Sequence, residues 1–181
     1  MDRRQQKTRK AIFDALGTLL EGKRFDHITV QEIIDTANIG RSTFYAHFET
    51  KDDLLKEMCT DIFRHVFTET LPQEAEQDFS SGGANLKLKL GHILYHLKEN
   101  QVNICGIIAT DGDGLFMAYF KQYLAQLFSR YTALFPREVP EDFLIHHLAG
   151  SFAETVKWWV SQKMEHPPEL VAGYYMAVAQ R

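Results

Sequence analysis

The sequence predicts an all-α protein. Apolar residues recur at spacings of three and four through nearly every segment, almost no segment alternates at two, and Pro and Gly gather at the breaks. The pattern falls into three short helices, a connecting helix and a second, larger helical domain, with boundaries expected at 1–50, 51–70 and 71–181.

The first helix is expected from Arg3 to Gly22, burying Ile12, Leu16, Leu19 and Leu20, with Gly22 as its stop. Thr29 caps the second helix and Glu32, three residues on, completes a capping box; Val30, Ile33, Ile34 and Ala37 form its buried stripe. Asn38 tolerates the left-handed conformation that ends a helix, and Gly40 can cap the next. The connection Asn38-Ile39-Gly40 is therefore a tight turn with helix-turn-helix spacing. Phe44 and Phe48, one turn apart, anchor a third helix of about two turns. A fourth starts at Thr50 with Asp53 in the capping-box position, and Leu55, Met58, Ile62 and Val66 carry it to about Thr70. The polar segment Leu71 to Ala84 reads as a loop between domains. Helices of roughly 85–100, 101–110, 114–135, 140–164 and 168–180 follow.

At 181 residues and 45% hydrophobic content the chain can bury a sizeable core. Its net charge of −4 excludes a uniformly basic coat, but the charge is uneven. Residues 1–51 carry nine Lys/Arg and seven Asp/Glu, and five of those cations fall in the first ten residues; the remainder of the chain is acidic. A basic arm on an acidic body suits a polyanion met at one end. The N-terminus holds no uninterrupted apolar run before Asp14, so neither a secretory signal nor a membrane span is expected and a cytoplasmic location follows. Cys59 and Cys105, far apart in sequence, read as reduced core thiols.

The third helix buries two rings and sends Arg41, Ser42, Thr43, Tyr45 and His47 outward. Arg41 and Lys51 each stand in the first turn of a helix, where the dipole disfavours a cation by about 0.3 to 1 kcal/mol. Read singly, each is equally well a solvated side chain, with Glu49, Asp52 and Asp53 offsetting the Lys. Together they describe a surface built to meet phosphates. An outward Tyr45 fits the same purpose, unless it folds back onto the first helix; His47 can donate to phosphate from either ring nitrogen.

The stretch "ITVQEIIDTANIGRSTFYAHFETKDDLL" resembles the DNA-binding signature of TetR/AcrR-family transcriptional regulators: a T-V-x-x-I second helix, a T-F-Y-x-H/Y-F recognition helix and a K-x-x-L-L start to the fourth. The resemblance implies an N-terminal helix-turn-helix DNA-binding domain and a C-terminal dimerisation and ligand domain. It implies phosphate contacts from Thr29, Thr43, Tyr45, His47 and Lys51, and places Arg41, Ser42 and Thr43 toward the bases. Gly40 stands where Ser is common, which removes a possible Ser–phosphate contact. Arg41 is the side chain here suited to bidentate recognition of guanine.

Beyond residue 70, "HHLAGSFAETVKWW" and "PPELVAGYYMAV" resemble the last two helices of a regulator subgroup common in Gram-positive bacteria. Ala149, Gly150, Ala153, Ala172, Gly173 and Ala177 allow close helix approach, either across a two-fold four-helix bundle or within one subunit. Leu115 to Phe135 holds more rings than one helix face can bury, so Phe116, Tyr119, Phe120 and Tyr123, with Trp158, are candidates to line a cavity for an apolar or aromatic effector, against the plainer role of core packing. His92 and His96 have metal-ligand spacing, but no Glu follows His92, and the pair reads as ordinary histidines. No nucleophile elbow, phosphate loop or paired carboxylates is found, so neither an enzyme nor a cofactor or metal is expected.

The expected function is that of a homodimeric DNA-binding regulator, a repressor released from a palindromic double-stranded operator by a small-molecule effector. Two alternatives are a co-activator on the same scaffold that binds protein instead of an operator, and an enzyme using Cys105 and His92, which has composition alone behind it.

Overall fold

The structure, a computed structural model, describes residues 3–68, 82–101, 104–105, 107–108, 114–135 and 138–180, without the side chains of 62, 64–68 and 82–84. Residues 71–81 of the expected 71–84 loop and half of the expected 101–110 helix lie outside these residues. Helices are α1 (Arg3–Leu20), α2 (Val30–Ala37), α3 (Arg41–Tyr45), α4 (Lys51–Thr68), α5 (Gly82–Glu99), α6 (Leu115–Phe128), α7 (Glu141–Ser161) and α8 (Pro168–Ala179). Single 3-10 turns lie at Phe25–His27 and Thr132–Leu134, and no strand occurs among the described residues. The fold is all-α.

The chain divides into two compact units, one of Met1–Thr60 with Val102–Met117, the other of Asp61–Gln101 with Ala118–Arg181. In the first, α1 packs on α2 and α2 on α3. Ile12, Leu16 and Leu20 of α1 meet a core of Phe25, Ile28, Ile33, Ile34, Phe44, Phe48, Leu54, Leu55 and Met58. Both capping boxes form. Glu32 N–H donates to Thr29 Oγ1 at 3.2 Å and Thr29 N–H to Glu32 Oε2 at 2.9 Å. Asp53 N–H donates to Thr50 Oγ1 at 3.0 Å and Thr50 N–H to Asp53 Oδ2 at 3.1 Å, which satisfies donors that α4 would otherwise orphan.

In the second unit α5 packs on α8, and α8 on α7. Phe63 stacks on Phe120 with centroids 5.2 Å apart, and Phe120, Phe128, Phe152 and Tyr175 continue the ring cluster. Tyr175 donates to the Leu148 carbonyl at 2.9 Å, and burial pushes its hydroxyl pKa up to about 12. Trp159 is fully buried, with Nε1–H donating to the His166 carbonyl at 2.9 Å.

Several expected bounds shift: α1 ends at Leu20 before the expected Gly22, and α7 runs Glu141–Ser161 inside the expected 140–164. α5 begins at Gly82, before the expected 85. α6 stops at Phe128 instead of 135 because the Ser129 hydroxyl donates back to the Gln126 carbonyl, and the N–H groups of Arg130 and Tyr131 turn to carbonyls three residues back. α3 proper is five residues, prolonged by a turn in which Phe48 N–H donates to the Phe44 carbonyl at 3.0 Å.

Candidate nucleic-acid interface

The turn between α2 and α3 sets the site. Asn38 adopts the left-handed conformation, φ 51° and ψ 51°, while its N–H and that of Ile39 close onto the carbonyls of Asp35 and Ile34. Gly40 then takes an extended φ of −79° as the α3 N-cap. Its backbone needs no glycine there, and an added Cβ would meet only the Ser42 and Thr43 hydroxyls at ordinary distances.

Phe44 is fully buried and Phe48 nearly so, their rings 5.9 Å apart. This turns the other side of α3 to solvent. Arg41 and Ser42 are exposed, Thr43 and His47 half-buried, and Tyr45 is 50% exposed with its ring edge-on to Phe44 at 5.4 Å. Tyr45 therefore stays on the outer face instead of folding onto α1. Arg41 Nη2 donates to Gln31 Oε1 at 3.2 Å, and Gln31 Nε2 donates to Asp35 Oδ1 at 2.8 Å. The guanidinium is thus steadied by α2 while keeping four of its five donors for a ligand.

Two of the expected phosphate-binding side chains are engaged within the domain. The Thr29 hydroxyl donates to Glu32 Oε2 at 2.9 Å besides accepting the α2 cap bond. Lys23, 2.7 Å from Glu32, together with the Thr29 backbone and hydroxyl, holds the Glu32 carboxyl at about 2. With a depressed folded pKa, what this carboxylate contributes to stability is present above about 4.5 and is lost as pH falls through about 2.

Lys51 is the larger departure. Its Nζ donates to the carbonyls of Phe25, Asp26 and Ile28 at 2.8, 2.9 and 2.8 Å and lies 4.8 Å from the Phe25 ring centroid. An ammonium has three N–H donors, and all three are used. A phosphate contact from Lys51 would require one of these bonds to break. The same bonds offset the dipole cost of a cation at the α4 start, and they tie α4 to the turn that precedes α2.

The basic run at the N-terminus is also partly internal. Arg9 pairs with Glu57 and lies over the rings of Phe13 and Phe48, at 5.1 and 5.8 Å, and Lys10 pairs with Asp14 at 2.7 Å. Arg3, Arg4 and Lys7 are exposed on the first turns of α1. Sequence reasoning did not find the roles of Gln31, Lys23 or Arg9, since each acts across elements and leaves no periodic signal.

Residues 12–58 match the bacterial regulatory proteins of the tetR family, and residues 84–180 match a transcriptional regulator C-terminal region. A crystal structure of a TetR transcriptional regulator from Streptococcus agalactiae 2603V is 38% identical, with 99% of this chain and 97% of that one covered at a TM-score of 0.76. The chain belongs to the TetR family. Two further relatives are the HTH-type regulator YxbF of Bacillus subtilis strain 168 and the dhaKLM operon transcriptional activator DhaS of Lactococcus lactis subsp. lactis strain IL1403. YxbF is 25% identical over 97% of this chain and 45% of its own length, and DhaS is 29% identical over 80% and 70%. This chain thus spans about half the length of the Bacillus protein.

In this TetR-family chain the five side chains expected to line an effector cavity are dispersed. Phe116 is fully buried in the first unit. In the second, Phe120 is fully buried, and both it and the half-buried Tyr123 lie against Phe63 at 5.2 and 5.3 Å; Tyr119 is half-buried. Trp158 is 42% exposed, stacked on His166 at 5.4 Å, and lines a groove of about 740 Å³ between α7 and α8 with Leu144, His147, Tyr174 and Val178. The small residues divide as well. Ala149, Ala153 and Ala172 are buried within the unit, and a Cβ on Gly173 would meet Lys87 Nζ at 3.5 Å. Only Gly150 faces open space, and Ala177 is exposed. Neither Cys59 nor Cys105 is in a disulfide, and burial raises the Cys105 pKa, the direction opposite to that of a reactive thiol. Among the described residues no helix is long and apolar enough to cross a membrane.

Replacing Lys51 with Met keeps the aliphatic stem and removes three charge-assisted bonds. It should cost about 1 to 3 kcal/mol of stability in denaturant unfolding. The salt dependence of DNA binding should keep its slope; a slope lower by about 0.9 would show that Lys51 neutralises a phosphate instead.

Proposed function

We propose that this TetR-family protein binds an inverted-repeat operator as a homodimer and represses transcription until an effector occupies its second unit. The reading is carried by the outer face of α3: a short helix held from beneath by Phe44 leaves Arg41, Ser42, Thr43 and Tyr45 on its solvent side, with His47 half-buried just beyond its end. Arg41, at the leading end, is where a recognition helix reaches base edges. Ser42 and Thr43 suit bases or sugar-phosphate, Tyr45 and His47 suit phosphate, and Arg3, Arg4 and Lys7 add a second cationic contact. Repression needs only that the dimer cover its operator. Activation, the role in the name of the Lactococcus relative, would need a further contact with the transcription machinery.

Dimerisation is supported by the apolar face of α7 and α8. Phe143, Trp158, Leu170, Tyr174 and Val178 are 57%, 42%, 44%, 45% and 77% exposed, and the three on α8 recur every four residues along one side. Gly150 stands on α7 with nothing within 4 Å of where its Cβ would be. A two-fold bundle of these helices would cover that face and set two copies of α3 about 34 to 36 Å apart, or a multiple of it, to match one face of the duplex.

The effector we assign to the second unit is apolar or aromatic, because the half-buried Tyr119 and Tyr123, beside the buried rings of Phe63 and Phe120, offer rings and phenols instead of a fixed countercharge. To weaken operator binding a hundredfold it must favour the released state by about 2.7 kcal/mol.

Arg41→Ala should relax the preference at one base pair per half-site, costing roughly 1 to 3 kcal/mol on the selected operator and little on scrambled duplex. Equal losses on both sequences in binding titrations would place Arg41 on the backbone. Gly150→Arg tests the interface. Open space accepts the new side chain in the monomer, so the variant should fold with normal helix content yet sediment as a monomer, and a dimeric variant would move the interface elsewhere.

A further inference from the structure

We propose that His92 and His96, on α5, form a binding site for a late first-row divalent cation such as Zn²⁺. The two residues stand one helical turn apart, and their Nε2 atoms are 3.2 Å apart. Two imidazole nitrogens, each about 2.05 Å from one tetrahedral Zn²⁺, are separated by roughly 3.3 Å. The nitrogens are thus already spaced as two ligands of one ion.

The rings are nearly perpendicular, at 87°, with centroids 4.4 Å apart. On a shared tetrahedral ion the centroids would stand about 5 Å apart. Seating the ion therefore asks the rings to open by under about 1 Å, a small turn about the broad terminal torsion of histidine.

Glu99 supplies the outer partner that ligating histidines use. Its Oε2 is 2.9 Å from His96 Nδ1, and the His96 side chain is only 12% exposed. With Nδ1–H donating to Glu99, His96 presents the Nε2 lone pair toward His92. In the metal-free pair that lone pair accepts the His92 Nε2 proton. Binding one ion through both Nε2 atoms requires His92 in its Nδ1–H tautomer, in which both rings are neutral and both Nε2 lone pairs meet the metal.

Among the described residues no third His, Cys, Asp or Glu completes a ligand group. Two imidazoles select late metals over Mg²⁺ or Ca²⁺, and a pair of ligands binds more weakly than a closed set of four. The assignment is independent of the DNA-binding reading.

Zn²⁺ titration of the full chain by calorimetry should show one ion per chain. His92→Gln and His96→Gln should each weaken it by about 10-fold or more, and Glu99→Gln by about 10 to 100-fold, all with unchanged helix content. In the unmodified protein, imidazole ¹⁵N spectra should show Zn²⁺ shifting Nε2 of both His92 and His96, a readout independent of any variant's folding. Absence of Zn²⁺ binding, equal affinity in the double His→Gln variant, or shifts at other histidines instead would overturn the proposal.

Discussion

A five-residue helix has no stability of its own in water, where even Ala-rich helices need roughly 12 to 15 residues. Every side chain that α3 presents outward depends on Phe44, fully buried at its centre, with Phe48 beneath the turn that follows. Burial of one such ring contributes on the order of 1.5 to 3 kcal/mol, more than the few hydrogen bonds of α3 can supply against the entropy of ordering its backbone. α3 is therefore a surface feature of the core, and its outer residues are free to be polar because its inner ones do the holding.

The same logic explains the polar bonds around it. α2 is fixed at one end by the Thr29–Glu32 box with Lys23 behind it, and at the other by Asn38 in the left-handed region. α4 is fixed by the Thr50–Asp53 box and by Lys51 on three carbonyls of the turn before α2. α4 continues from Lys51 past residue 60 into the residues of the second unit, and the Lys51 bonds tie its leading end to the turn before α2.

Local, contiguous signals were legible in the sequence. Both capping boxes, the Asn38 turn and the Phe44–Phe48 anchor are set within three or four residues, and each formed as its spacing required. What escaped was long-range. Nothing in the pattern around Lys51 indicates that its ammonium belongs to residues 23 to 26 positions earlier, and the resemblance to DNA-contacting positions pointed it outward. Arg9 looked like part of a free arm until Glu57, Phe13 and Phe48 were found around it. The stripe of small residues in α7 and α8 could not say which of them face a partner helix, because Ala172 and Gly173 meet α5 of the same chain while Gly150 meets nothing. The end of α6 was set by a serine hydroxyl and i−3 bonds, a competition that apolar periodicity does not register.

The central claim is that the Phe44-anchored helix is the DNA-reading surface. Backbone NMR of the full chain, free and with a duplex recovered by selection from random sequence, tests it most directly. The account predicts the largest shifts at Arg41, Ser42, Thr43, Tyr45 and His47, with the buried amides of Leu16 and Ile33 nearly unmoved. Shifts concentrated on α7 and α8, or a selected duplex that leaves Arg41 to His47 unperturbed, would contradict it.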